Sequence, residues 1–492
     1  MLVADRNILG IGTERLDAAG AGATAREIAQ QPAIWPEIEA LVAHQRSALD
    51  AFLGPLLARP DLRIVLTGAG TSAFIGECLA PALLGGGWRA DAVPTTDLVS
   101  GPRQFLQPKV PTLLVSFGRS GNSPESVAAV ALAEQLVGEV YHLVITCNTD
   151  GALCQWAQGR DNAYAILLPD ATHDRGFAMT TSFTSMLLAA AGAIGVLAPG
   201  AIGAPSNAAA RVLDTMLPVL ESLVAQRFRR VVYLGSNSLR GLAREASLKL
   251  LELTDGQVVA LFDSPLGFRH GPKTIVDRDT LVVVLLSNDP RARRYDLDLL
   301  RELRRDGRAG RVLALSGREE PELGDACIAL PGVAEPDCLG VVRRRRERSV
   351  EDESCPSLGD ACRQCPGISR GHRHAADRGQ DHAEGGCALV DQRDVDAELV
   401  VAFDELTRAI QRIHQPIGPP VLAHFPGHQR GLFGQDRQVR GELGQPTLDH
   451  VIGRAVGRSD RTAVRFQLDL KRGGVHPHDR GGRILRNGND RL

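Results

Sequence analysis

Short apolar segments alternate with longer segments of helical periodicity through the first two thirds of the chain. Four apolar runs are β-branched or Leu-rich and lack a clean apolar–polar alternation: RIVLTG (63–68), PTLLVSF (111–117), HLVITC (142–147) and YAILLP (164–169). Such runs predict strands that are buried on both faces of a parallel sheet. The segments between them predict helices at 71–85, 123–137 and 180–197. This spacing predicts right-handed βαβ units and a doubly wound α/β sheet.

The same pattern recurs after residue 215. Strands are predicted at 229–235, 280–287 and 311–316, with helices at 242–254 and near 295–305. Before the first half, apolar positions at helical spacing over 24–57 indicate a single helical lead-in. We therefore predict four segments: a helical lead-in at 1–57, a first α/β domain at 58–205, a second at 215–337, and a tail at 338–492.

The composition changes near residue 338. Nine of the 13 histidines follow that position, whereas every Trp, Tyr and Met precedes it. The tail is rich in Arg, Gly and His without a sustained period of 2 or 3.6, so we expect it to be disordered or non-native. A GC-rich gene read in a shifted frame gives such a composition. Our hypothesis is a frame change at about residues 336–342, which an intact frame on resequencing would contradict.

Charge and composition restrict the partners. A net charge of −2 gives no overall basic field, so nucleic acid and acidic membranes are not favoured and small molecules are expected. No run of about 18 apolar residues and no secretory signal pattern occur, which predicts a soluble cytoplasmic protein without membrane association. Nine cysteines are too sparse for a disulfide framework and fit a reducing compartment.

Two features of the tail imitate functional motifs. Four residues include a CxxC and resemble a zinc site: Cys355, Cys362, Cys365 and His372. Their spacing fits no standard zinc module and no hairpin pattern flanks them, so we predict no bound metal. The run RRRRER (343–348) resembles a targeting signal. An arginine-rich frameshift product explains it more simply.

Two strand-to-helix turns in the first half have the composition of anion sites. Gly68–Ser72 reads GAGTS, in which glycines allow close backbone approach and Thr71 and Ser72 place hydroxyls at a helix start. Ser116–Ser126 reads SFGRSGNSPES and follows the next strand, with Gly121 permitting a turn. Hydroxyls and helix N-terminal amides can bind phosphate without a P-loop lysine. The simpler alternative is helix capping, which is compatible with phosphate binding.

A third candidate lies on the predicted helix of the second half. Glu245, Lys249 and Glu252 have the spacing i, i+4, i+7, which places them on one helix face. A solvated salt-bridge face is the ordinary explanation of such a pattern. Here the residues flank leucines of a helix with a buried pattern, and the segment RHGP with His270 follows a loop. This context favours an acid–base site.

Five motifs together resemble one protein family. GAGTSAF, SFGRSGNSPES, HDRGFAMTTSFTSM, EASLKLLELT and DSPLGFRHGPK, in this order and spacing, are similar to the sugar isomerase (SIS) domain family. The closest branch is tagatose-6-phosphate ketose/aldose isomerase, also described as galactosamine-6-phosphate deaminase/isomerase. The resemblance covers about residues 24–335 and implies two SIS domains, each a parallel sheet with helices on both faces, in a homodimer or larger oligomer.

The resemblance also implies roles for individual residues. Five hydroxyl residues would hold the sugar phosphate: Thr71, Ser72, Ser116, Ser120 and Ser123. Glu252 would move a proton between C1 and C2, Lys249 would neutralise the enediolate oxygen, and Glu245 would support the lysine. His270 would open the sugar ring, acting from a neighbouring subunit. Aldose–ketose isomerisation needs such a carboxylate and positive group and requires no cofactor or metal.

Two questions stay open at the level of sequence. SIS domains also serve as ligand-binding modules of transcription regulators, so a non-catalytic sugar-phosphate sensor is the alternative function. Such regulators usually carry a helix-turn-helix, and residues 1–60 show no basic recognition helix. After residues 329–337, the closing helix of the second SIS domain and a C-terminal segment near the active site are not recognisable. Their loss would expose one sheet face and open the site to water.

Overall fold

The apolar runs form the central strands of two five-stranded parallel sheets in a computed structural model, which describes residues 7–329. The predicted doubly wound α/β architecture is confirmed, with both sheets flanked by helices. The domain boundaries drawn from the sequence stay predictions. The proposed tail, its frame change, the CxxC segment and the arginine run lie outside the described residues.

The N-terminal region contains four helices instead of the single helical lead-in that the periodicity predicts. In chain order its elements are β1 (Asn7–Ile8), β2 (Ile11–Gly12), α1 (Thr13–Ala18), α2 (Gly22–Ala29), α3 (Gln31–His44) and α4 (Arg46–Leu57). Trp35 is fully buried, and its Nε1 donates a hydrogen bond to Thr184 Oγ1 at 3.1 Å. The lead-in is therefore part of the core of the first half.

The first half contains the sheet β4-β3-β5-β6-β7, with all neighbours parallel. Its elements are β3 (Arg63–Thr67), α5 (Thr71–Gly85), β4 (Arg89–Ala92), α6 (Thr95–Ser100), α7 (Pro102–Phe105), β5 (Thr112–Gly118), α8 (Pro124–Leu136), β6 (Val140–Thr146), α9 (Ala152–Ala157), β7 (Ala163–Leu167) and α10 (Thr181–Ile194), with a 3-10 turn at Asp170–Thr172. Two helices, α11 (Gly203–Thr215) and α12 (Leu217–Ala225), lead to the second sheet.

The second half contains the sheet β12-β11-β10-β8-β9, again with all neighbours parallel. Its elements are β8 (Arg230–Gly235), α13 (Ser238–Leu253), β9 (Val259–Asp263), α14 (Pro265–Arg269), β10 (Thr280–Leu286), α15 (Pro290–Asp306), β11 (Arg311–Ser316) and β12 (Cys327–Ala329), with 3-10 turns at Pro272–Ile275 and Gly324–Ala326. In both sheets the strands follow the spatial order 2-1-3-4-5 when numbered along the chain.

The pattern of apolar residues failed to predict the strands β4, β9 and β12. The first and third are only four and three residues long, and all three lie at sheet edges. An edge strand has a neighbour on one side only, and β4 and β9 mix exposed with covered positions. Their residues therefore do not form the continuous apolar runs of the central strands.

Successive residues of the central strands face opposite sides of the sheet and pack into two different hydrophobic layers. Ile64 and Leu66 of β3 face a core that the two halves share, whereas Val65 between them faces a separate outer layer with α8. In the second half Val282 and Val284 of β10 face the outer layer with α15. Both faces of each central strand are thus buried, as the unbroken apolar runs predict. Among residues 7–329 no helix has the length and apolarity needed to cross a bilayer.

Candidate active site at the carboxyl edge of the first sheet

The first turn of the site joins β3 to α5. Gly70, which precedes the helix, has φ 56° and ψ −129°, a conformation that favours glycine. A Cβ at Gly68 would lie 2.6 Å from Ser72 Cβ, so the turn also needs a glycine there for close approach. Thr71 and Ser72 are the first helical residues and both are 4% exposed. The Ser72 N–H donates to the Ala69 carbonyl at 3.2 Å and closes the turn at the start of the helix.

The second turn follows β5 and is held by asparagines. Asn148 Nδ2 donates to the Ser120 carbonyl at 2.9 Å, and Asn122 Oδ1 accepts the Ala152 N–H at 2.8 Å. Gly121 has φ 64°. The residue Ser123 caps α8, because its Oγ accepts the Ser126 N–H at 3.2 Å. Capping by Ser123, the simpler alternative at the sequence level, therefore occurs, and it leaves a helix N-terminus beside the first turn.

Buried hydroxyls lie between the two turns. Thr67 of β3 is paired in register with Ser116 of β5, and the two residues are 1% and 2% exposed. Their hydroxyl oxygens and that of Thr95 have no hydrogen-bond partner within the described part of the chain. Unpaired polar atoms are costly inside a protein unless a ligand or water satisfies them. This edge is therefore polar and suited to an anionic ligand.

The predicted acid–base residues meet on α13. Lys249 Nζ lies 2.5 Å from Glu252 Oε2 and 3.4 Å from Glu245 Oε1. The side chain of Lys249 is 2% exposed, that of Glu245 8% and that of Glu252 23%. The predicted single helix face is confirmed, although it is largely buried and not the solvated face of an ordinary surface helix. Glu252 is the member of the cluster most open to a ligand.

Residue Thr71 joins this cluster to the first turn. Lys249 Nζ donates to Thr71 Oγ1 at 2.9 Å, and Thr71 Oγ1 donates to Glu245 Oε1 at 3.2 Å. The link depends on close packing of α5 against α13, because a Cβ at Gly241 would lie 2.7 Å from the Cys78 backbone nitrogen. The two halves of the chain thus each contribute one side of the same site.

The other predicted residues have different surroundings. Ser72 Oγ lies 3.9 Å from Met179 Sδ. His270 follows α14, has an exposed side chain, and donates its backbone N–H to the Gly267 carbonyl at 3.0 Å. The contacts of the cluster join α5 and α13, so His270 belongs to a separate element. Its role in ring opening stays a prediction.

The sequence analysis missed a residue that anchors the loop beside the turn after β5. Glu27 of α2 accepts the N–H groups of Arg175 at 2.5 Å and Gly176 at 3.0 Å, while Arg119 Nη1 donates to the Gly176 carbonyl at 3.1 Å. Burial raises the pKa of the Glu27 carboxyl, against the lowering effect of the Gly176 N–H. Since Glu27 lies about 150 residues before its partners, no local pattern could have revealed this contact.

A second missed residue, Asp174, lies in the loop before α10 and accepts hydrogen bonds from the start of that helix. Its carboxylate accepts the N–H groups of Thr180 at 2.7 Å and Ser182 at 2.9 Å. Asp174 lies six residues before the N-cap residue Thr180, outside the positions of a helix-start pattern, so no such signal marked it in the sequence. Together Glu27 and Asp174 fix the loop that contacts Arg119.

Comparison with known proteins identifies the family. Residues 56–194 match the SIS domain. The chain is 51% identical over 320 residues to the D-galactosamine-6-phosphate deaminase AgaS of Escherichia coli, covering 64% of this chain and 82% of that protein. The chain belongs to the SIS domain family. Another SIS-family relative, the D-galactosamine-6-phosphate deaminase AgaS of Shewanella sp. (strain ANA-3), is 44% identical over 360 residues, or 71% of this chain and 92% of the relative.

A solved structure supports the same assignment. The crystal structure of tagatose-6-phosphate ketose/aldose isomerase from Escherichia coli superimposes with a TM-score of 0.64 at 41% sequence identity. The match covers 80% of the present chain and 94% of the chain in that crystal structure. The resemblance inferred from the five motifs is therefore confirmed at the level of the family.

Proposed function

We propose that the chain is a sugar-phosphate aldose/ketose isomerase that deaminates galactosamine 6-phosphate to tagatose 6-phosphate and ammonia. The names of the relatives that are 51% and 44% identical over the aligned residues support this substrate. The observation that carries the proposal is the contact of Lys249 with Glu252 at 2.5 Å, at the end of the sheet where the two serine-rich turns lie. The site thus combines a carboxylate, a cation and an anion-binding edge.

The reaction assigns one step to each group. Glu252 removes the C2 proton of the open-chain 2-amino aldose, and the Lys249 ammonium stabilises the negative charge on O1. Glu252 returns the proton to C1, and a proton of the 2-amino group passes through water to O1, which leaves a neutral imine at C2 and a hydroxyl at C1. Water adds to this imine and ammonia leaves, giving the ketose. Glu252 is exposed enough to reach substrate, whereas Lys249 is buried, where its charge acts more strongly than in water.

The remaining sequence predictions complete the proposal. The serine hydroxyls of the two turns, with Ser72 and the helix N-termini of α5 and α8, bind the phosphate. His270 opens the sugar ring from a neighbouring subunit of a homo-oligomer. Its exposed position at the end of α14 is compatible with a role across a subunit interface.

The test is turnover of galactosamine 6-phosphate by the purified full chain, followed as ammonia release and ketose formation. We expect Glu252→Gln to lower kcat by about 100- to 10,000-fold, the usual contribution of a general acid–base group, with KM changed little. The matched control is Glu221→Gln, because Glu221 is exposed on α12, away from the sheet edges. The control should retain full activity.

The same assay separates the alternatives. A chain that binds the sugar phosphate without turnover, and whose affinity is unchanged by Glu252→Gln, would be a sensor and not an enzyme. Tagatose 6-phosphate should be tested beside galactosamine 6-phosphate, since a pure isomerase acts on the former alone. A chain whose residues after 337 are restored to the other reading frame should be assayed beside the original. Activity in the restored chain alone would mean that the altered tail abolishes the proposed function, whereas activity in neither chain would mean that the proposed function is wrong.

A further inference from the structure

We propose that the Thr71 hydroxyl is a positioning group for Lys249 and not a side-chain ligand of the substrate phosphate. This inference rests on the proposed function, since it assigns a role within the same reaction. It departs from the expectation that the resemblance gave for Thr71, and it depends on the hydrogen-bond geometry between the two halves of the chain.

The number of protons on the hydroxyl decides between the two roles. A threonine hydroxyl has one proton to donate and two lone pairs to accept with. The Lys249 ammonium can only donate, so Thr71 Oγ1 accepts at 2.9 Å. An ionised Glu245 can only accept, so Thr71 gives its single proton to Oε1 at 3.2 Å. Phosphate oxygens need a donor, and in this arrangement the Thr71 side chain has none left.

The contact fixes the ammonium from the side opposite its own helix. Glu245 and Glu252 belong to α13, one turn on either side of Lys249, and both can move only with that helix. Thr71 is the first residue of α5 and comes from the other half of the chain. A lysine stem has four rotatable carbons, so an acceptor on a second helix restricts where Nζ lies. Thr71 therefore sets the position of the charge relative to Glu252.

Ser120 provides the contrast. Its Oγ accepts the Asn122 N–H at 3.3 Å, and its own proton has no acceptor among residues 7–329. Ser116 Oγ is likewise without a partner there. These serines can donate to a phosphate, whereas Thr71 cannot do so without giving up Glu245.

The test compares Thr71→Val, which keeps the shape and removes the hydroxyl, with Thr71→Ser, which keeps the hydroxyl. We expect Thr71→Val to lower kcat about 10- to 100-fold, the range for losing a hydrogen bond to a charged group. The basic limb of the kcat pH profile should move to lower pH, because the ammonium loses an acceptor that favours its charged form. Thr71→Ser should keep most of the wild-type kcat and most of the wild-type pH profile.

Phosphate affinity is the decisive second measurement. Inorganic phosphate binding, measured by calorimetry on the wild-type chain and both variants, should change less than twofold. Weaker phosphate binding by Thr71→Val with unchanged kcat would overturn the proposal, as would a variant that behaves as wild type in kcat, pH profile and binding. A thermal melt identifies a variant that has lost its fold, in which case Thr71→Ala, which also removes the hydroxyl, takes the place of Thr71→Val.

Failure of the proposed function gives a different result. If the wild-type chain turns over neither sugar phosphate, the function is wrong, yet phosphate calorimetry still tests the assignment of Thr71. If Thr71→Val binds inorganic phosphate with wild-type affinity, the assignment of Thr71 is supported. If the variant binds phosphate more weakly, the assignment is contradicted.

Discussion

The two sheets share a topology but differ in what fills their carboxyl edges. Each has the strand order 2-1-3-4-5, for which ligands bind between the first and third strands, where the strand order reverses. In the first half this position has glycine turns and the buried hydroxyls of Thr67 and Ser116, which have no hydrogen-bond partner among residues 7–329. In the second half the side chain of Asp296, which is fully buried, occupies it. Asp296 accepts from Ser236 Oγ at 2.6 Å and from the Ser287 N–H at 2.9 Å.

The turns around the two positions are closely similar. Gly70 and Asn237, which precede α5 and α13, have φ/ψ of 56°/−129° and 51°/−122°. Ser123 and Asp289 cap α8 and α15, each directly before a proline. The second half thus keeps the geometry of an anion site and fills it with its own carboxylate. A repeated fold therefore does not imply a repeated site, and we expect one sugar phosphate per chain.

Neighbouring groups hold the internal carboxylate in place. Arg293, one turn before Asp296 on α15, donates to the Ser287 carbonyl and to Ser316 Oγ, both at 2.8 Å. Desolvation raises the pKa of Asp296 to about 6, against the lowering effect of the hydrogen bonds from Ser236 and Ser287. Burial therefore outweighs the hydrogen bonds, and the carboxylate is held at an energetic cost at neutral pH.

The largest expected effect is a pH-dependent stability that belongs to the second half. The folded pKa of Asp296 lies above its ordinary value of 3.8, so the folded chain binds its proton more tightly than the unfolded chain. This contribution is fully present below about pH 4 and is lost as the pH rises to about 6, by on the order of 3 kcal/mol in the free energy of unfolding. Asp296→Asn should abolish it, measured by urea unfolding at pH 4.5 and 7.

The first half changes the free energy of unfolding with pH in the opposite direction. The variant and the wild type must therefore be compared at each pH. Burial lowers the pKa of His142 to about 4, against the raising effect of Glu134. The folded chain therefore loses stability as the pH falls from about 6.5 to 4. An Asp296→Asn curve parallel to that of the wild type would show that this carboxyl does not titrate as described.

The next effect concerns ligand binding and compares one serine from the carboxyl edge of each sheet: Ser120, which follows β5, and Ser236, which follows β8. Ser120→Ala should raise KM for the sugar phosphate about 10- to 100-fold, because a hydrogen bond to a charged group is lost. Ser236→Ala should change KM less than twofold, since Ser236 donates to Asp296 and not to a ligand. Steady-state kinetics on both variants, with a thermal melt as control, provide the test. Equal changes in KM would contradict the asymmetry between the halves.

The smallest effect concerns the backbone of the corresponding turns. Both Gly70 and Asn237 adopt a conformation that a residue with a Cβ adopts only under strain. Asn237→Gly should therefore stabilise the chain and Gly70→Ala should destabilise it, each by about 1 kcal/mol. No heavy atom outside the adjoining residues lies within 4 Å of a Cβ at Gly70, so the change is not a steric clash. Denaturant unfolding measures both, and the same sign for both would refute the explanation.

The fold could be predicted wherever the pattern is periodic over a whole element. The central strands β3, β5, β8 and β10 are unbroken apolar runs, and the helices between them have helical spacing, so their types and approximate bounds follow from the sequence. The edge strands β4, β9 and β12 were missed because one free edge removes the need for a long apolar run. The helices α2, α3 and α4 of the lead-in were not distinguished from one another, because apolar spacing continues across the breaks at Gln30 and Gln45.

The candidate site was predictable to a similar extent. The spacing of Glu245, Lys249 and Glu252 placed them on one face, and local glycines and serines marked both turns. The contacts of Thr71, Glu27 and Asp296 were not predictable, since each depends on groups distant in the chain or on another element. For Asp296 a carboxylate within an Arg-rich helix gave no sign that it would lie inside the sheet edge.

The sequence by itself determined the two α/β halves, the two glycine-containing turns and the shared helix face of Glu245, Lys249 and Glu252 on α13, because these depend on periodicity and on residues within one or two helical turns. Tertiary structure alone decided that α5 brings Thr71 against Lys249, and that one sheet edge stays open while the other is filled by Asp296. The physical reason is that hydrogen-bond partners and burial are set by packing between elements, whereas residue type and spacing state only what each group is able to donate, accept or ionise.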